Sequence, residues 1–143
     1  MGLKYDRSMS SASESPRPPR ILLVEDHRDT REMYAMYLDF EGMTVSGADR
    51  GADALQRVTE DRPDLIVTDL HLPDMSGLDL ARHIKADPTT SHVAVVLLTG
   101  EAFGDIESAA RAAGCATVCL KPCAPDVLAE LIGQVLASDP PVH

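Results

Sequence analysis

Asp69 closes an apolar run, Leu65-Ile66-Val67-Thr68, and opens a turn that reads Leu70-His71-Leu72-Pro73-Asp74-Met75-Ser76-Gly77. A carboxylate at the end of a buried strand is well placed to meet a ligand. Three other strand ends supply complementary groups: Glu25 and Asp26 after Ile21 to Val24, Thr99 after Val93 to Leu98, and Lys121 after Thr117 to Leu120. Carboxylates gathered from Glu25, Asp26 and Asp69 repel one another unless a cation joins them. Magnesium suits such a set, because it is a hard ion that takes oxygen ligands and keeps several waters. On that chemistry Asp26 and Asp69 are direct ligands, Glu25 an outer or water-mediated one, and the carbonyl of His71 the backbone ligand. Asp69 keeps an oxygen free to attack phosphorus in line, while the metal and Lys121 neutralise charge on the transferred oxygens. Thr99 offers its hydroxyl to a phosphoryl oxygen, a contact made only after transfer and therefore able to favour a second conformation.

These residues can meet only if their strands share one edge. Short β-branched runs alternate with amphipathic stretches, the pattern of a parallel sheet covered by helices. The first strand is Ile21 to Val24, and its helix runs from about Asp29 to Glu41, with Met33, Met36, Tyr37 and Phe40 as its buried stripe and Gly42 as the stop. Thr44 to Ala48 forms a weaker second strand, followed by a helix from Gly51 to Glu60 that buries Ala54, Leu55 and Val58. Helix three starts near Gly77 and ends before Pro88. Strand four, Val93 to Leu98, is apolar throughout, as for a central strand buried on both faces. Helix four spans about Asp105 to Ala113 and is stopped by Gly114. Strand five covers Ala116 to Leu120, and the last helix runs from Pro125 to Ala137. Right-handed crossovers then set every carboxyl end along one edge, where open α/β sheets bind ligands.

The whole chain limits the alternatives. Its 143 residues, 44% of them hydrophobic, can bury one ordinary core. The formal charge of −10 argues against nonspecific attraction to nucleic acid or anionic membrane, so neither is expected as a direct partner. No apolar run approaches the roughly 18 to 20 residues of a membrane span, and the amino terminus lacks the apolar core of a secretory signal, so a cytoplasmic location is expected. Residues 1–19, rich in Ser, Pro and charge, read as a disordered tail, and residues 139–143 as a short carboxyl-terminal one. Cys115, Cys119 and Cys123 are too few and too odd in number for a disulfide framework, and Pro122 interrupts any helix that would stack them. They read as reduced, partly buried thiols rather than a zinc site.

His27 and His71 invite a transition-metal reading, but exposure at the mouth of the site fits them better. There His71, two residues after Asp69, and Glu101, two after Thr99, are positioned to affect access of hydrolytic water. No dinucleotide fingerprint, P-loop or serine nucleophile elbow competes.

In chain order, Glu25-Asp26, Asp69 followed by Pro73 and Gly77, Thr99, and Lys121-Pro122 resemble the receiver domain of two-component response regulators, over about residues 20 to 138. The resemblance implies a flavodoxin-like, doubly wound (βα)5 three-layer sandwich with strand order 2-1-3-4-5. It implies phosphorylation of Asp69 from a partner kinase histidine and a cis bond before Pro122, with a downstream protein target or, in a relay, a histidine phosphotransfer protein to which Asp69 passes the group. Two positions depart from the pattern. Receivers often carry Tyr or Phe three residues before the lysine, where this chain has Val118, and often Phe after the Lys-Pro pair, where it has Cys123. Output through helix four, strand five and helix five, including any homodimer formed there, is therefore less firmly implied than the chemistry.

The expected function is a stand-alone phosphoreceiver without a fused effector domain, a signalling module that catalyses its own phosphoryl acceptance and loss. Two rivals remain at this level. One is a docking module that works without phosphorylation. The other is a magnesium-dependent aspartyl-phosphate phosphohydrolase, which would need a second acid where His71 stands.

Overall fold

Five β-branched or leucine-rich runs become strands: β1 (Arg20–Val24), β2 (Thr44–Ala48), β3 (Leu65–Asp69), β4 (Ala94–Thr99) and β5 (Thr117–Leu120). Each is followed by a helix: α1 (Arg28–Phe40), α2 (Gly51–Asp61), α3 (Gly77–Ala86), α4 (Gly104–Ala112) and α5 (Pro125–Ser138). The computed structural model describes residues 17–101 and 104–138. All strand pairs are parallel, in the order β2-β1-β3-β4-β5. This is the flavodoxin-like, doubly wound sandwich that the sequence implied.

Alternate side chains of the sheet feed two cores, as the pleat requires. Leu22, Val24, Ile66, Val95 and Leu97 pack with Ala54, Val58, Leu80, Ile84 and Ile106 from α2, α3 and α4. Ile21, Leu23, Val67, Val96 and Leu98 pack on the other face with Tyr34, Leu38, Leu128 and Ile132 from α1 and α5. Every residue of β3 and β4 is buried, so these central strands form a rigid floor under the residues at their ends. Register fixes those ends, setting Val24 beside Thr68, Asp69 beside Leu98, and Thr99 beside Leu120.

Helix α1 corrects the expected stripe. Met36 and Phe40 are 71% and 77% exposed and Met33 is also exposed, whereas Tyr34 and Leu38 are the buried pair. The helix carries apolar residues on two faces, and the sheet selects the face bearing Tyr34 and Leu38, which stand one turn apart.

Gly42 and Gly114 end α1 and α4 with positive φ, as a left-handed stop favours. At the end of α2 that conformation falls instead to Arg62, with φ 50°. Arg62→Gly is expected to raise unfolding free energy by about 0.5 to 1 kcal/mol, since glycine adopts this region without steric cost. Urea denaturation measures it, and an unchanged midpoint would show that the strain is relieved elsewhere.

Of the amino-terminal tail expected over 1–19, residues 1–16 lie outside the described residues, as does the expected tail 139–143. Residues 17–19 are not free. The Arg17 guanidinium donates to both carboxylate oxygens of Asp64 at 3.1 Å, and the carbonyl of Pro19 accepts from Thr44 N at 2.8 Å. No helix among the described residues is long and apolar enough to cross a membrane.

Candidate functional site

The carboxyl ends of β1, β3, β4 and β5 bring together the residues singled out in the sequence. Asp69 is the last residue of β3 and is buried. Lys121, just past β5, sets its Nζ 2.6 Å from Asp69 Oδ1 and 3.8 Å from Glu25 Oε1. Burial disfavours the lysine's charge, but the Asp69 hydrogen bond and charge, with Glu25 adding, hold its pKa above the ordinary value.

Glu25 is buried and Asp26 exposed, and oxygen atoms from Glu25, Asp26 and Asp69 lie within 4.8 Å of one another. Burial raises the Glu25 carboxyl above its usual range, the His27 N–H on Oε2 opposing and the Asp69 charge reinforcing the rise. Its Oε1 is buried without a hydrogen-bond partner, a costly condition that a cation would relieve. A donor set made only of oxygens, one of them buried with no hydrogen bond and only the Lys121 ammonium 3.8 Å away, fits a hard divalent ion.

The turn after Asp69 is tightly held. Gly77 N donates to Leu70 O at 2.6 Å, and His71 and Ser76 form an antiparallel bridge. Ser76 caps α3 by accepting from Asp79 N. Asp74 reaches across to α2, accepting from Gly51 N at 2.8 Å and Ala52 N at 2.9 Å, and these N–H groups lower its pKa. Sequence reading passed over this tie, because its partners lie over twenty positions away and Asp74 by itself signals only a turn.

The imidazoles are otherwise engaged. His27 caps α1, its Nδ1 accepting from Thr30 N, and His71 Nε2 pairs with Glu101 Oε2 at 2.9 Å. Both His71 and Glu101 are exposed, so the residues two places after Asp69 and Thr99 join above the site. Thr99 is buried, and its hydroxyl accepts from Glu101 N at 3.0 Å. Val118 is half-buried against the core that α4 covers.

The Lys121–Pro122 peptide bond is cis. Two features beside it were missed. Tyr34, from the middle of α1, donates its hydroxyl to the carbonyl of Cys123 at 2.6 Å. Cys119 and Cys123, expected as free thiols, are bonded to each other, while Cys115 is a buried free thiol. The odd count of three argued against disulfides, yet one pair closes locally, because the bend at Lys121 and Pro122 returns Cys123 to Cys119 in β5. Tyr34→Phe keeps the ring but leaves a buried carbonyl unpaired, and should cost about 1 to 2 kcal/mol in a urea titration. A loss below a few tenths would mean that water replaces the hydroxyl.

A buried carboxylate at a strand end, with a lysine and two further acids beside it, thus stands at the edge where open sheets of this strand order bind ligands. The chain belongs to the response regulator receiver domain family, whose model matches residues 21–133. Receiver domains are signalling modules. Among curated proteins the chain is similar to the polar-differentiation response regulator DivK of Brucella anthropi, 30% identical over 105 residues that cover 73% of this chain and 85% of DivK. It is also similar to the transcriptional regulatory protein PrrA of Mycobacterium leprae, 35% identical over 119 residues, 83% of this chain and 49% of PrrA. The match thus spans about half the length of PrrA.

Among solved structures, the signal receiver domain of a signal transduction histidine kinase from Syntrophus aciditrophicus superposes with TM-score 0.78 at 28% identity, covering 87% of this chain and 95% of that one. The chemotaxis response regulator CheY4 of Vibrio cholerae, at 24% identity and TM-score 0.78 over 82% of this chain and 98% of its own, shares the fold.

Proposed function

We propose that the chain accepts a phosphoryl group on Asp69, in a magnesium-dependent reaction, from a phosphohistidine of a kinase or phosphotransfer protein, and thereby changes its binding to a downstream protein. The observation that carries this reading is the Lys121 ammonium 2.6 Å from Asp69 Oδ1, in a cluster that also gathers the carboxylates of Glu25 and Asp26. Asp26, Asp69 and the carbonyl of His71 would hold the metal, with Glu25 behind them. When bound, the ion neutralises charge on the phosphoryl oxygens.

An Asp69 carboxylate oxygen attacks phosphorus as the P–N bond breaks, and the imidazole leaves with the electron pair and takes up a proton. Lys121 transfers its ammonium from Asp69 to a phosphoryl oxygen. The Thr99 hydroxyl, which accepts from Glu101 N, then donates its proton to another phosphoryl oxygen, and this new contact separates the two conformations. His71 and Glu101, joined above Asp69, govern entry of the water that removes the phosphoryl group. The formal charge of −10 favours a protein target over nucleic acid, and we place the module in the cytoplasm with its donor.

Incubation with acetyl phosphate and magnesium, followed by intact mass, tests the reading. A phosphoryl adduct should form, and should vanish with Asp69→Asn or a chelator. No such adduct would leave only a docking role, which Val118 in place of an aromatic ring would suit. Continuous turnover of phosphomonoesters would favour a hydrolase instead. Thr99→Ala should take up the phosphoryl group within about threefold of the parent rate yet lose most of the response, because its hydroxyl acts after transfer. Amide exchange over α4, β5 and α5 reads that response, and a full response in the variant would remove Thr99 from the switch.

A further inference from the structure

We propose that Cys119 and Cys123 are a redox-active pair whose cross-link restrains the Lys121 segment and slows phosphoryl uptake on Asp69, an inference that rests on the phosphoacceptor reading above. The two residues bracket Lys121 and Pro122, their Cα atoms are 6.6 Å apart, and their sulfurs are bonded to each other. That separation lies within the span a disulfide bridges. Both residues are only 7% exposed, which admits a small oxidant more readily than a bulky one.

The same segment is pinned on two further sides. Lys121 N donates to Thr99 O at 2.8 Å, and Tyr34 holds the carbonyl of Cys123. Closing a ring over residues 119–123 therefore removes the remaining freedom of the backbone that carries the ammonium. During transfer that ammonium must leave the Asp69 oxygen and follow a phosphoryl oxygen. Cys115 is no rival partner: it packs in the opposite core, and burial pushes its thiol up to about 11, so little thiolate forms at neutral pH.

The chemistry balances with a peroxide as oxidant and a dithiol as reductant. One thiolate attacks a peroxide oxygen, forming an S–O bond as the O–O bond breaks, and the departing hydroxide is protonated to water. The second thiol then displaces the sulfenic oxygen, forming the S–S bond and releasing a second water. Two electrons pass from the sulfurs to the peroxide. A dithiol reverses the change by exchange, becoming a disulfide itself. In a reducing compartment such cross-links are transient and report oxidant rather than hold a fold together.

The test uses the full chain, reduced with dithiothreitol or treated with hydrogen peroxide, and then given acetyl phosphate and magnesium. Peptide mapping should find Cys119 linked to Cys123 only after peroxide, and the linked form should take up the phosphoryl group about three- to tenfold more slowly. Cys123→Ser and Cys119→Ala should show one rate under both treatments, and Cys115→Ser should keep the difference. Amide exchange over residues 117–124, slower in the oxidised protein, reads the restraint without phosphotransfer. Absence of the linked peptide overturns the proposal, as does equal exchange or an equal rate in linked and reduced protein. If the reduced protein takes up no phosphoryl group, the phosphoacceptor reading fails and the proposed effect on uptake with it, whereas linkage and exchange still decide the redox pair.

Discussion

Lys121→Ala is expected to slow phosphoryl uptake by about a hundredfold while tightening magnesium binding. The ammonium stands 2.6 Å from Asp69 Oδ1 and 3.8 Å from Glu25 Oε1, so before transfer it occupies the charge field that a metal also seeks. Removing it leaves the carboxylates more strongly self-repelling, and a divalent cation then gains more by binding. During transfer the balance reverses, because negative charge spreads over phosphoryl oxygens and one preorganised cation is gone. Calorimetric titration with magnesium and the rate of mass gain from acetyl phosphate separate the two effects. Metal affinity falling together with the rate would show instead that Lys121 props up the acid cluster.

Gly77→Ala should destabilise the fold by about 3 kcal/mol and impair Asp69 as well. A Cβ at Gly77 would overlap the backbone carbonyl oxygen of Asp69 and stand 3.0 Å from Leu97 Cδ1. The carbonyl belongs to a fully buried strand, and Gly77 N is tied to Leu70 O at 2.6 Å, so neither side yields cheaply. Relief requires the end of β3 to move, and Asp69 with it. Urea denaturation should show a lower midpoint with an unchanged slope, and the uptake rate of the folded variant should fall several-fold. A loss under about 0.5 kcal/mol would mean that the turn has slack.

The sequence made legible what depends on local pattern and strand ends. β4 was readable because six apolar or β-branched residues in a row fit a doubly covered strand, and the cluster around Asp69 because each of its groups stands at the end of such a run. What escaped was set by tertiary choice. The two apolar faces of α1 look alike in a list of residues, and only the sheet decides that Tyr34 and Leu38 turn inward. Asp74 capping α2, and Tyr34 meeting Cys123 across 89 positions, have no local signature. The sulfur pair was hidden by number, since three cysteines argue against a framework and only the bend after β5 shows that two of them meet.

The clamp of Arg17 on Asp64 lies at the amino-terminal edge of the sheet, opposite the edge that bears Asp69. β1 and β3 each contribute five residues between those edges, roughly 17 Å of extended chain. Helices covering a parallel sheet run back against the strands, so α5 also delivers Ser138 to the edge of Arg17. A fluorophore or surface tether attached at Arg17 or Ser138 thus sits at the edge away from the carboxylates. An array of such immobilised molecules would present the edge bearing Asp69 outward, open to solution.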